Sequence, residues 1–374
     1  MSLVDDSSRH EIYLARLASG LLNSKIYPSL EEAYKAARLI LLDMESLNTP
    51  KKLQDALKKV SKSTRRITRV MFDEFGKELE SIAYYEADFH ANLIGSLNQA
   101  TLTIPANKKI KQFIDQSLLS LVSGKKTTSG TWVEFVLNQQ NSIGRAFDNE
   151  IKSGYVNQET VGQTIARLKQ ASSGFLRREL EALARTGMSH YTVNAREAMA
   201  QDNLDILERR FFNATFDNRT TLVCAGNHGK TWLLTDDNYP KLPLHWNERS
   251  VWIYLTKGQK NIGGTRSSVG GQEGEAAKES FEKRKSRTDR TIKYRGRKDA
   301  TTFKAGQINA RTGYGTWLKQ QPDWFVEDTL GKTRAKLFFD GKMSIDKFTD
   351  MTGRTLTLDE LRLLNSRAFK RAGL

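Results

Sequence analysis

Apolar residues recur at spacings of three and four through the first hundred residues, and this period predicts amphipathic helices. The first such stretch has its apolar positions at Ile12, Leu14, Leu17 and Leu21. Residues 64–98 repeat the pattern, with apolar positions at Ile67, Val70, Met71, Phe75 and Leu79. Long amphipathic helices with few prolines are typical of a bundle or a helical arm. We therefore predict an elongated helical N-terminal region over residues 1–105.

Within the N-terminal region, Ser29 is a candidate cap, because its hydroxyl can accept from the first free backbone N–H groups of a helix. Glu31 and Glu32 would then lie in the first turn of that helix, where the helix dipole favours negative charge.

Helical periodicity continues after a break that we expect at Pro105, and it covers residues 106–210. This pattern predicts a second helical region that reaches residue 210.

The pattern changes at residue 211, where alternation and turn-forming residues replace the helical period. We predict a small, compact, turn-rich β module over residues 211–257. Its strands are expected near residues 212–216, 221–224, 230–234 and 250–255.

Residues 258–310 are rich in Gly, Ser, Lys and Arg, and few apolar residues could anchor them, so we predict a mobile basic segment. Residues 311–374 return to helical patterning and predict a C-terminal helical unit. In its last helix Thr357 can act as the cap, with Glu360 three residues later as in a capping box. The fold class is therefore mainly α with a small α+β module.

The net positive charge of the chain favours a polyanionic partner. The 374-residue chain has 59 Lys and Arg residues against 43 Asp and Glu residues, a formal net charge of +16. Such an excess favours nucleic acid or an acidic protein surface. The single cysteine excludes an intrachain disulfide, which fits a reducing compartment. We expect no secretory signal and no membrane-spanning helix.

The densest basic run lies within residues 281–300, where nine basic residues face three acids. We predict that this run contacts double-stranded DNA without sequence preference, because no base-reading module accompanies it. A solvated linker is the alternative. The candidate residues are Lys283, Arg284, Lys285, Arg287, Arg290, Lys293, Arg295, Arg297 and Lys298.

Cys224, His228 and His245 are candidate zinc ligands, because thiolate and imidazole are usual ligands of that metal. Asp217 could complete the set. The alternative is a buried cysteine with histidines that bond to the backbone. A Cys–His nucleophilic pair is also conceivable, but no oxyanion-hole pattern accompanies it. We predict no metal site, no cofactor and no catalytic residue.

The stretch from Asp217 to Thr221 favours a structural interpretation. A short side chain at Asp217 can close an Asx turn, and the following threonines suit a strand. A buried Asp217–Arg249 pair or an Arg219–Glu248 pair would connect the two ends of the module. The sequence alone does not decide which of these two ion pairs forms.

Several short motifs follow one another in an order that resembles the head morphogenesis family typified by the F protein of phage Mu. The resemblance covers about residues 120–255 and 311–362. Each motif is short, and their shared order carries the match. Its residues are Arg185, Thr186, Asp217, Arg219, Thr220, Cys224, Gly229, Trp232, Pro243, His245, Asn247 and Arg249.

The chain departs from the family at Glu248 and Ser250, where members often have cysteines on either side of the final arginine. This departure suggests a polar clasp in place of a metal site. The resemblance implies a non-enzymatic minor capsid protein of a tailed bacteriophage, present in the virion at the portal vertex or head interior. Its implied partners are the portal protein, major capsid or scaffold proteins and packaged double-stranded DNA. The alternative is a metal-dependent hydrolase or toxin-like effector packaged in the virion.

Overall fold

A computed structural model describes residues 3–123, 126–259, 262–273, 301–350 and 352–374. Within these ranges long helices dominate, and the strands form small antiparallel sheets. The predicted fold class, mainly α with a small α+β module, is confirmed. No helix in the described ranges is long and apolar enough to cross a membrane.

The N-terminal region consists of three long helices. Helix α1 (Leu3–Leu21) continues through a π-helical turn (Leu22–Ile26) into α2 (Tyr27–Asp43), and α3 (Pro50–Asn98) follows. Thr49 caps α3 by accepting from the Lys52 backbone N–H at 3.3 Å. The predicted cap at Ser29 is wrong. Ser29 lies inside α2, where its hydroxyl donates to the Lys25 carbonyl at 2.8 Å.

The second region begins after Pro105, which lies in the predicted break between α3 and the next helix. Two short strands, at residues 119–123 and 126–130, pair antiparallel in a stretch that was predicted to be helical. Two helices of this region begin with a capping box in which threonine is the N-cap residue. The elements are α4 (Asn107–Gln116), β1 (Leu119–Ser123), β2 (Lys126–Gly130), α5 (Trp132–Val156), α6 (Val161–Ser173) and α7 (Phe175–Gln201).

The β module is a three-stranded antiparallel sheet in the order β4-β3-β5. Strand β3 (Leu207–Asn213) pairs with β4 (Thr231–Leu233) and β5 (Val251–Thr256). The first strand therefore begins earlier than predicted, in a stretch assigned to helix. The strand predicted at 221–224 is wrong, because a short helix, α8 (Leu222–Asn227), occupies it.

Two further strands lie at the edges of the predicted basic segment. Strands β6 (Thr265–Glu273) and β7 (Thr301–Asn309) pair antiparallel along their whole length, although no strands were expected between residues 258 and 310. The C-terminal unit is helical, and the predicted Thr357–Glu360 capping box is confirmed. Its elements are α9 (Tyr314–Leu318), α10 (Asp323–Leu330), α11 (Lys332–Phe339), a 3-10 turn (Ile345–Phe348), α12 (Leu358–Leu364) and α13 (Ser366–Arg371).

The main core forms around α7, which is buried on every side in its second half. A helix with no solvated face belongs at the centre of a core. Small residues on α7 permit close packing: a Cβ atom on Gly187 would lie 2.4 Å from the Trp132 ring. One apolar cluster contains side chains from Leu14 to Tyr254, so the boundaries predicted at residues 105 and 210 do not separate cores. A second cluster holds the C-terminal unit.

A buried charge network connects the N-terminal helices to α7. Glu86 of α3 is fully buried and accepts from Arg196 of α7 and from His10 of α1, whose Nε2 lies 2.6 Å from its carboxylate. Arg196 is also fully buried and pairs with Glu11 as well. Arg196 thus pairs with two carboxylates, and its charge lowers the pKa of Glu86 well below its ordinary value, which keeps Glu86 ionised inside the core.

Candidate functional site: a polar clasp

Several residues that carry the family resemblance meet where α7 approaches the loops of the β module. We use the name polar clasp for Thr186, Asp217, Thr220, Cys224, His245, Asn247, Glu248 and Arg249. The chain brings them together from four separate segments. Thr186 on α7 provides one link, because its hydroxyl oxygen accepts from the Asn247 backbone N–H at 3.1 Å. Asn247 has a left-handed backbone conformation with φ of 58°, which asparagine tolerates better than most residues.

Asp217 and Arg249 form a bidentate ion pair with N–O distances of 2.5 and 2.9 Å. The predicted Asx turn is also present, since Asp217 accepts from the Arg219 backbone N–H at 2.9 Å. Burial alone would raise the pKa of Asp217, but the hydrogen bonds and charge of Arg249 outweigh it and lower that pKa. Of the two pairings left open by the sequence, the structure contains Asp217–Arg249.

Breaking this pair on one side is expected to lower the free energy of unfolding by about 2 kcal/mol, because a buried charge loses its partner. Chemical denaturation of Arg249→Ala would measure the loss. The double variant Asp217→Arg with Arg249→Asp should recover part of it. Arg219→Ala is the control: its side chain is exposed, and a surface change of this kind costs within about 0.5 kcal/mol. Equal losses for Arg219→Ala and Arg249→Ala would contradict the role of the pair.

Cys224, His245 and Glu248 form a compact triad inside the clasp. Cys224 Sγ lies 3.2 Å from His245 Nε2 and 3.3 Å from Glu248 Oε2. His245 Nε2 lies 3.1 Å from that same carboxylate oxygen. Glu248 also accepts the backbone N–H groups of Arg249 and Ser250 at 2.9 and 2.8 Å. Cys224 and Glu248 are buried, and His245 is partly exposed.

The triad differs from the ligand set considered from the sequence. His228 is not part of the triad: its backbone N–H donates to the Cys224 carbonyl at 3.0 Å, and its Nδ1 accepts from the Ala214 backbone N–H at 3.2 Å. Arg266 lies 3.1 Å from the other ring nitrogen of His228. Burial and the charge of Arg266 lower the pKa of His228 to about 3, so the ring is neutral. Glu248, not Asp217, provides the carboxylate beside Cys224.

The protonation state of Cys224 favours a structural role for the triad over nucleophilic catalysis. Burial and the nearby Glu248 carboxylate raise the pKa of the Cys224 thiol well above its ordinary value. The thiolate is the nucleophile, so a thiol kept protonated is unreactive.

The donor atoms of Cys224, His245 and Glu248 lie close enough together to hold one divalent cation. His245 Nδ1 lies 2.9 Å from the Trp246 carbonyl, and donation to that oxygen would leave Nε2 free as an acceptor or ligand.

Other residues of the resemblance lie around the clasp. Gly229 has φ of 88° and donates its N–H to the Phe212 carbonyl at 3.0 Å. Trp232 packs edge-on against Trp252 with ring centroids 5.5 Å apart. Pro243 follows a cis peptide bond. Arg185 is not among the clasp contacts: its side chain is 45% exposed and pairs with Glu181 at the surface.

Three contacts that the sequence did not reveal join the C-terminal unit to the loop that carries Asp217. The Tyr314 hydroxyl donates to the Asp217 carbonyl at 2.7 Å. Asn218 donates to Asp328 at 2.8 Å. Phe216 packs into the C-terminal core cluster from the same loop. The clasp therefore lies at the junction of α7, the β module and the C-terminal unit.

The basic run predicted to contact DNA, Lys283 to Lys298, lies outside the described residues. No protein-family model, curated protein or solved structure matches the chain.

Proposed function

We propose that this chain is a minor head protein of a tailed bacteriophage that acts in head morphogenesis or DNA delivery. The observation that carries the proposal is the convergence of residues scattered along the sequence into one clasp. Thr186 contacts Asn247 across 61 positions of the chain, and Asp217 pairs with Arg249 across 32. Motifs that resemble one family in order, and that also contact one another, support a shared folded module.

A structural role without catalysis agrees with the properties of the clasp. Its thiol is buried and protonated, its carboxylates are paired or hydrogen-bonded, and it connects three parts of the fold. Such a junction would hold the helical regions in a fixed arrangement against the portal or the capsid interior. The net charge of +16 supports contact with packaged double-stranded DNA.

Two observations test the proposed partners. The gene is expected to lie beside a portal gene upstream and capsid genes downstream. When the chain is expressed together with that portal protein carrying an affinity tag, we expect the two to co-purify. Failure to bind the portal protein, together with neighbouring genes unrelated to phage heads, would overturn the proposal.

A metal-dependent hydrolase or toxin-like effector is the second candidate function, and the Cys224–His245–Glu248 triad is the observation that favours it. Elemental analysis of the purified chain distinguishes the two. The hydrolase requires a stoichiometric metal and an activity that is lost in His245→Ala. The head protein requires neither for its assembly role.

A further inference from the structure

The N-terminal half of α3 has a strongly one-sided charge. Between Lys51 and Arg69 there are eight basic residues and one acidic residue, Asp55. Five of the basic residues follow one another at spacings of seven, four, three and four, which places them on one side of an α-helix. We call these five the basic stripe: Lys51, Lys58, Lys62, Arg65 and Arg69. At 1.5 Å per residue the stripe is about 27 Å long.

The basic stripe is exposed and largely without ion pairs. All five side chains belong to exposed residues. Arg69 reaches Asp73 at 3.9 Å in a surface pair, whereas the other four have no salt bridge to any residue in the described ranges. Asp148 of α5 is an acid from another element that lies close enough for the charges of Lys152 and Arg65 to act on its carboxyl group. These few acids leave most of the positive charge available to a partner.

This charge distribution works against the stability of the helix that carries it. Like charges three and four residues apart repel one another. Positive charge near a helix N-terminus also opposes the helix dipole, and α3 has no acid in its first turn. The second half of α3, residues 70–98, has six acids and one lysine, which is the reverse of the arrangement that the dipole favours. A bound polyanion would offset the repulsion along the stripe.

We propose that the basic stripe binds the phosphate backbone of double-stranded DNA. Duplex DNA offers one negative charge per about 1.7 Å, so a stripe of this length can contact several phosphates. Residues 51–69 contain no aromatic residue. Binding of single-stranded nucleic acid uses aromatic side chains on which the bases stack, so the evenly charged duplex backbone is the better match for this stripe. The proposal rests on the DNA association in the proposed function and assigns it a surface.

The test compares two triple variants of the full chain. Lys58→Gln, Lys62→Gln and Arg65→Gln remove three charges from the stripe. The matched control, Lys336→Gln, Lys347→Gln and Arg367→Gln, removes two lysines and one arginine that are exposed in the C-terminal unit. Binding is measured by fluorescence anisotropy with a mixed-sequence duplex of about 20 base pairs over a range of salt concentrations.

The stripe variant is expected to bind more than tenfold more weakly than the wild type at about 0.1 M salt, with a log–log salt slope shallower by about 2.7. The control should keep most of the affinity and slope of the wild type. Equal weakening in both variants would show an effect of net charge alone and overturn the proposal. Unchanged binding by the stripe variant would overturn it as well.

Folding and head assembly give separate readouts. Because the stripe variant removes repulsion within α3, its midpoint of thermal unfolding should equal or exceed that of the wild type. A stripe variant that loses DNA binding but still binds the portal protein supports the stripe and leaves the proposed function intact. A wild-type chain that binds the portal protein but not the duplex overturns the stripe alone.

Discussion

Replacing Arg196 with methionine is expected to lower the free energy of unfolding by about 3–5 kcal/mol, because it leaves a buried carboxylate uncompensated. Glu86 is fully buried, and Arg196 is its strongest partner. Burial alone would raise the pKa of Glu86, but the charge of Arg196, which is the largest opposing effect, lowers it well below its ordinary value. Methionine retains much of the apolar volume, so the loss reports mainly on charge. Urea denaturation followed by circular dichroism would measure it.

Arg185→Met on the same helix is the matched control. Arg185 is 45% exposed and pairs with Glu181 at the surface, so its loss should cost less than about 1 kcal/mol. Adding Glu86→Gln to Arg196→Met should restore part of the stability, because the orphaned charge is removed. The buried network would not have the role assigned to it if Arg196→Met cost no more than Arg185→Met.

Acidification is expected to unfold the protein before most of its carboxylates are protonated. Burial lowers the pKa of His190 to about 4 and that of His228 to about 3. An unfolded histidine titrates near 6.5, so below that pH the unfolded state binds more protons than the folded state. The stability from these two neutral rings is fully present above about pH 6.5. It falls by about 1.4 kcal/mol per pH unit for each ring as the pH drops toward the folded pKa.

The free energy of unfolding, measured by urea titration at a series of pH values from 7 to 4, checks this expectation. His190→Gln keeps a polar side chain in the position that bonds the Ile114 carbonyl but cannot titrate. Its stability should decline less steeply with acid than that of the wild type. A wild-type stability that stays constant over this range would mean that the two rings are not held neutral.

Periodicity predicted the long helices because a helical period of 3.6 residues is local information. The same reasoning failed at residues 221–224. The β-branched Thr221 and Val223 favour a strand, but Thr221 is the N-cap residue that precedes α8, and that helix positions Cys224 beside His245. Contacts outside the segment therefore decided its conformation against its strand propensity.

The clasp was only partly predictable for a related reason. The Asp217–Arg249 pair was one of two pairings that the sequence left open, since both join charged residues from the two ends of the module. The contact of Glu248 with Cys224 had no local signal beyond its place next to Arg249. The Glu86–Arg196 pair joins residues 110 positions apart, and no spacing rule reaches that distance. The basic stripe could have been found from spacing alone, once α3 was assigned as a continuous helix.

Mass spectrometry of nuclease-treated phage heads, purified from the bacterial strain that carries the gene after prophage induction, tests the proposal of a minor head protein most directly. We expect the chain to be present in heads in far fewer copies than the major capsid protein and in a fixed ratio to the portal protein. A chain that is absent from purified heads and stays in the soluble lysate would contradict it.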